Sequence, residues 1–291
     1  MKFYTPYQFS IFRIVLGVYL LIHFIHLLPY APEIWSNQGT LPDPSLNFTF
    51  GLFPNLLNYF DSPVQTQVFV SILIVAALCF TLGIQRRLSA FVLWVGWACL
   101  FNRNNLISNP GIPFVGWLLL CSSVIPSGEP WSLFSSKKEN WELPKVLFIG
   151  AWVIMACGYT ISGIDKLHAP SWVDGSAILH LLNNPLARDW WPREILLQLP
   201  DILIKIMTWS ILFMELAFLP LSLHPKTRKF AWMGMVAMHL GILMIVDFAD
   251  LTCGMLMIHL FTIDARWFKA SSLVRKEEGI DDASERKTIY S

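Results

Sequence analysis

The stretch QTQVFVSILIVAALCFTLGIQRRLSAFVLWVGWACLFNRN, residues 65–104, reads as two membrane-spanning helices joined by a basic turn. A spanning helix needs about 20 mostly apolar residues. The runs 65–84 and 88–106 supply that length on either side of Arg86 and Arg87. Working outward, comparable runs occur at 9–30, 112–127, 144–164, 201–223, 228–247 and 250–266. The fourth and eighth are short, which suits helices tilted or packed inside a bundle. The fold class expected is all-α: a polytopic membrane bundle of about eight helices over 1–268, followed by a charged, flexible cytoplasmic tail at 269–291.

Composition agrees. Of 291 residues, 55% are hydrophobic and 14% charged, against about 25% charged in a soluble domain. Mean hydropathy is +0.52. The net charge of +1 points to no nucleic-acid partner; lipid is the expected surround. Cys79, Cys99, Cys121, Cys157 and Cys253 lie in or beside apolar runs without a CxxC pair, so neither a disulfide framework nor a thiolate metal site is expected. The N-terminus has one Lys and no small-residue cleavage site, so the first helix is expected to stay in the membrane.

Basic residues set the orientation. Arg86 and Arg87, then Lys137, Lys138 and Lys145, then Lys226, Arg228 and Lys229, then Arg266, Lys269, Arg275 and Lys276 fall in every second connection. Segment 31–64 has no basic residue, and 102–111 has only Arg103. The positive-inside rule then places both termini in the cytoplasm. The long segments 31–64 and 165–200, rich in aromatics such as Phe48, Tyr59, Trp172, Trp190 and Trp191, fall on the outer face. Residues 174–183 read as a short amphipathic helix with Asp174 near its start.

Ionisable groups inside spans cost roughly 2.5–3.5 kcal/mol and mark functional candidates. Arg13 lies in span one, Glu215 in span six and His239 in span seven; Asp165 and Lys166 close span five. Lys166 is either a lysine snorkelling to the interface or a base in a desolvated rim. Glu215 must pair across helices or be protonated; Arg13 is one candidate partner. His239 is a structural histidine or a base facing a cavity. His23 and His26, spaced i, i+3, share a face, but no third ligand accompanies them and no metal is expected. His259 is expected to be structural. Lys166, Asp247, Asp250, Asn104, Asn105 and Asn109 are expected to gather in one outward-opening polar vestibule.

With these residues in view, the chain resembles the HTTM family, the transmembrane domain shared with vitamin K-dependent gamma-carboxylase. The resemblance covers about residues 6–268. It rests on Phe12-Arg13-Ile14-Val15-Leu16-Gly17, on Arg103-Asn104-Asn105 with Asn109-Pro110-Gly111 and Gly116-Trp117, and on Tyr159-Thr160-Ile161-Ser162-Gly163-Ile164-Asp165-Lys166-Leu167 with Trp172-Val173-Asp174-Gly175. Trp209, Glu215 and His239 follow in order. The resemblance implies that Lys166 is a catalytic base toward a reduced, vitamin K-like quinone, and that His239 assists. It implies a binding role for Arg13, Arg103, Asn104, Asn109, Asp165, Trp172 and Glu215. It also implies carboxylase-, epoxidase- or oxidoreductase-like chemistry and a secreted or membrane peptide substrate. The Lys-Leu to Trp spacing is one residue longer than in the carboxylase, whose large lumenal region has no counterpart in the residues quoted. The expected location is a bacterial inner membrane. The other readings are a non-catalytic membrane subunit for peptide maturation or export, and a small transporter, though no internal repeat supports the latter.

Overall fold

The computed structural model describes residues 3–268. Twelve α-helices run in order: α1 Pro6–Leu27, α2 Ala31–Trp35, α3 Pro63–Leu82, α4 Arg86–Arg103, α5 Gly111–Val124, α6 Lys145–Lys166, α7 Pro170–Val173, α8 Ala177–Leu182, α9 Trp191–Leu197, α10 Asp201–Leu223, α11 Pro225–Ile245 and α12 Ala249–Phe261. Among the described residues there is no strand, only one isolated bridge between Ala187 and Val246. A helix stands at each of the eight apolar runs. Four segments are long and apolar enough to cross a membrane: Pro6–Trp35, Pro63–Leu82, Lys145–Lys166 and Asp201–Leu223. The charged segment 269–291 lies outside the described residues.

Local chemistry starts these helices where the pattern expects. Thr5 and Gln8 form a reciprocal cap on α1, and Ser62 and Gln65 do the same for α3. Each helix has proline in its first turn, where a missing N–H costs nothing. Asp174 caps the turn before α8, accepting from the Ser176 N–H at 2.8 Å and its hydroxyl at 2.6 Å. These bonds hold its carboxyl below the ordinary aspartate value.

The long helices pack in series: α1 on α3, α3 on α4, α4 on α5, α5 on α12, α12 on α11, α11 on α10 and α10 on α6. The α12 helix also touches α1 and α6, which puts it at the centre. Its short length follows from that position: Met255, Ile258, His259 and Phe261 are buried among neighbouring helices. Glycine permits the closest approach. A Cβ on Gly254 would lie 2.9 Å from the Gly111 Cα, so α5 and α12 meet backbone to backbone.

One end of the bundle gathers the long aromatic segments. The Asn47 amide donates to the Asn102 carbonyl at 3.0 Å, and the Asn104 amide to that of Ile34 at 2.7 Å. Phe48 and Tyr59 are about four-fifths exposed there. The opposite end gathers the N-terminus, the 83–86 turn and the 125–144 connection. Arg86, one of the basic residues that set the expected orientation, is buried in it. Its Nε lies 3.1 Å from Glu129 Oε1 and its Nη2 3.3 Å from Oε2. Burial opposes ionisation of Glu129, but Arg86's charge and hydrogen bonds outweigh it and hold the carboxyl below the usual glutamate value.

Candidate functional site

Lys166 ends α6 and Glu215 lies mid-way along α10. Their side chains meet with Nζ 2.7 Å from Oε2. The same ammonium donates to Ser162 Oγ, one turn back on α6, at 2.7 Å. It also lies 5.0 Å from the Trp172 ring centroid, a cation–π contact supplied by α7. The Lys166 side chain is 21% exposed and that of Glu215 6%, so the pair opens to the surface through the lysine.

Two features of the helices make the meeting possible. A Cβ on Gly163 would come 2.9 Å from the Leu216 backbone nitrogen, so only glycine lets α6 approach α10 this closely beside the pair. Pro220 interrupts the α10 ladder one turn after Glu215. At that turn the Thr160 hydroxyl donates to the Glu215 carbonyl at 3.4 Å and accepts from the Leu219 N–H at 3.3 Å. It thus ties the loosened segment to α6.

Deeper in the bundle, the Tyr159 hydroxyl lies 2.7 Å from His239 Nε2 and 2.6 Å from His259 Nε2. All three residues are buried. A phenol has one hydrogen, so Tyr159 donates to one imidazole and accepts from the other. The two neutral rings therefore carry opposite tautomers. The Nδ1 atoms of both are buried without a partner. Tyr159 and Lys166 are seven residues apart, two turns along one face of α6. A polar line thus runs from the surface lysine toward α11 and α12.

Several expectations need correction. Glu215 pairs with Lys166, not Arg13. The Arg13 guanidinium donates to the Trp131 carbonyl at 2.7 Å and to that of Phe80 at 3.4 Å, at the opposite end of the bundle. Arg103 holds the 31–64 segment through the carbonyls of Leu41 (2.7 Å) and Pro42 (3.3 Å). Asp165 is exposed and turned to a different helix face from Lys166. The single vestibule divides. Asn104, Asn109 and Asp250 line one cavity, and Lys166 is not among its lining residues. Asp247 is exposed and reaches Arg188 at 3.4 Å. His259, expected to be structural, needs no such correction: it is buried and shares the Tyr159 hydroxyl with His239.

Reading the sequence for functional residues missed Tyr159, Ser162, Glu129 and the pairing of His23 with Asp250. The first two carry a signal, since they lie seven and four residues before Lys166 on one helix face. Glu129 stands out only as an acid in a connection otherwise read for its lysines. The His23 and Asp250 positions are 227 residues apart, and no local pattern joins them.

No curated protein and no solved structure matches the chain. The HTTM domain model matches residues 3–267, nearly the whole length, and the chain belongs to the HTTM domain family.

Proposed function

We propose that this protein is an integral membrane enzyme in which Lys166 acts as a base on a reduced, vitamin K-like quinone. The observation that carries this reading is the state of the Lys166 ammonium: hydrogen-bonded to a nearly buried carboxylate yet reaching the surface under an indole ring. An ammonium must lose a proton before it can act as a base. Glu215 Oε2, 2.7 Å away, is the acceptor at hand. Transfer leaves a neutral amine and a neutral carboxyl, which suits a desolvated site. The amine then takes a proton from a hydroxyl presented at the rim, and Ser162 keeps Nζ oriented.

Exposed aromatic and apolar groups lie next to the lysine: Trp172 packs on the ammonium, and Val173 and Trp209, joined by the Trp209 indole N–H to the Val173 carbonyl at 3.1 Å, are exposed. A reduced quinone bound there would supply a weakly acidic ring hydroxyl and electrons for oxygen. Tyr159, His239 and His259 extend the polar line inward and offer a further place for a proton. Family membership supports the assignment by analogy. A secreted or membrane peptide is the proposed second substrate.

The same reading takes all eight long helices as spans in a bacterial inner membrane, with both termini cytoplasmic. Basic residues in alternate connections support it. Single cysteines placed at Asn105, Asp174 and Thr227 would test it. The first two are expected to react with an impermeant maleimide from outside and the third only after lysis; the reverse pattern overturns the orientation.

For the activity, the purified full chain in lipid nanodiscs would be given a reduced naphthoquinone and oxygen, with oxygen uptake recorded. Uptake by the wild type, lost in Lys166→Ala at unchanged helical content, is the expected result. Equal uptake by Lys166→Ala, or none by the wild type, overturns the base assignment or the quinol reading respectively.

A further inference from the structure

A cavity of about 170 Å³ lies away from Lys166, between α1, α2, α4, the start of α5 and the start of α12. Trp35, Trp97, Phe101 and Phe248 form much of its wall. An apolar cavity of about 150 Å³ holds one benzene ring, so this one accommodates a single substituted ring.

Its polar groups specify the rest. His23 Nδ1 lies 2.9 Å from both oxygens of Asp250, and the Tyr19 hydroxyl donates to Oδ1 of the same carboxylate at 3.0 Å. A carboxylate accepts, so Nδ1 carries a hydrogen; in the neutral ring the lone pair is then on Nε2. Among the described residues Nε2 makes no hydrogen bond, and His23 lines the cavity. This Asp–His arrangement leaves an acceptor for whatever occupies the space. Trp35 is a second, independent sign of a ligand. It is 2% exposed, and its indole N–H is buried with no partner. The Trp152 indole N–H is likewise buried without a partner, but of the two only Trp35 lines this cavity. The neighbouring Trp97 shows the contrast: its indole N–H donates to the Ile112 carbonyl at 3.0 Å.

We propose that this cavity is a binding site for a small hydroxylated aromatic ring, a phenol, whose hydroxyl donates to His23 Nε2. The oxygen of such a ring, or a second oxygen on it, accepts from Trp35 Nε1. The aromatic wall takes the ring, and the two polar groups set its orientation. A purely apolar occupant such as an acyl chain leaves both groups unpaired and is disfavoured. The site shares no residue with the Lys166 pair.

The test uses the full chain in lipid nanodiscs with 4-fluorophenol and fluorobenzene as probes, read by fluorine NMR against empty nanodiscs. A saturable bound signal for 4-fluorophenol is expected, with affinity about tenfold above fluorobenzene, the worth of one or two hydrogen bonds. His23→Phe should abolish that preference, and Trp35→Phe should reduce it severalfold. If His23→Phe does not fold, nitrogen NMR of labelled histidine in the wild type decides. Phenol should shift one unprotonated Nε2 resonance, and the absence of any shift overturns the proposal. Equal binding of the two probes, unaffected by His23→Phe, makes the cavity an unspecific apolar void. No saturable signal from either probe overturns the site altogether.

Discussion

Two buried ion pairs sit at opposite ends of this bundle, and they differ in closure. Arg86 and Glu129 are both almost wholly buried, with side-chain exposures of 2% and 1%. Every strong contact there is answered from within. Arg86 also donates to the Ser122 carbonyl and, at 2.8 Å, to that of Pro126, and its guanidinium lies over the Phe9 ring. Glu129 also accepts from the Gly128 N–H and the Ser132 hydroxyl, each at 3.2 Å. Lys166 and Glu215 form one direct bond, with a serine and an indole as company, and the lysine touches the surface. The first pair is satisfied and sealed, a fastener for the 125–144 connection. The second rests on one direct bond and reaches the surface through the lysine, which is the geometry the proposed activity requires.

Breaking the sealed pair should have the largest effect. Glu129→Ala leaves a buried guanidinium without its counter-charge, and about 3–5 kcal/mol of stability is expected to go with it. Yield and thermal midpoint in detergent would record the loss. The double change Arg86→Met with Glu129→Leu should restore most of it, because a buried pair can be replaced by apolar residues of similar volume. The corresponding double change at the other end, Lys166→Met with Glu215→Leu, should leave the fold intact and remove oxygen uptake. If the second double variant unfolds while the first does not, the contrast is reversed.

A smaller effect is expected at Gly163. Gly163→Ala puts a methyl group against the α10 backbone, so α6 and α10 must separate or shift. A loss of about 1–3 kcal/mol is expected, typical of overpacking. Uptake should fall further than stability, because the 2.7 Å contact lies one turn away. Equal falls in both would make Gly163 a packing residue only.

Acid sharpens the comparison from another side. The folded Glu129 carboxyl lies below its ordinary value, so the unfolded chain binds the proton more readily. Its contribution is complete above the ordinary glutamate value and is lost as pH falls through the depressed folded value. The thermal midpoint should therefore drop on acidification below the ordinary glutamate range, and Glu129→Gln should flatten that part of the profile. The smallest effect belongs to Asp174→Ala, which removes the turn contacts to Ser176. Asp174 is fully exposed, so only local exchange of the 174–183 amides should rise.

Much of the fold was legible from local pattern. Apolar runs of fixed length mark the long helices because a backbone in lipid must satisfy its own hydrogen bonds. The candidate site was legible in part. Lys166, Glu215 and His239 stood out because ionisable groups are costly in a span. Which of them meet was not legible. Arg13 was as good a partner for Glu215 as Lys166 until the helices were packed. The sequence shows Arg86 as a basic residue in a connection but not its burial, because burial is a property of its neighbours.

The sequence by itself determined the helical class, the positions of the long helices and the short list of polar groups within them. Those follow from composition over stretches of about 20 residues. Only the tertiary structure decided that α12 is central, that Gly163 brings Lys166 to Glu215, that Tyr159 joins His239 to His259, and that His23 meets Asp250. These depend on which helix faces come together, a choice made by close packing of small residues across the bundle. No run of residues along the chain encodes it locally.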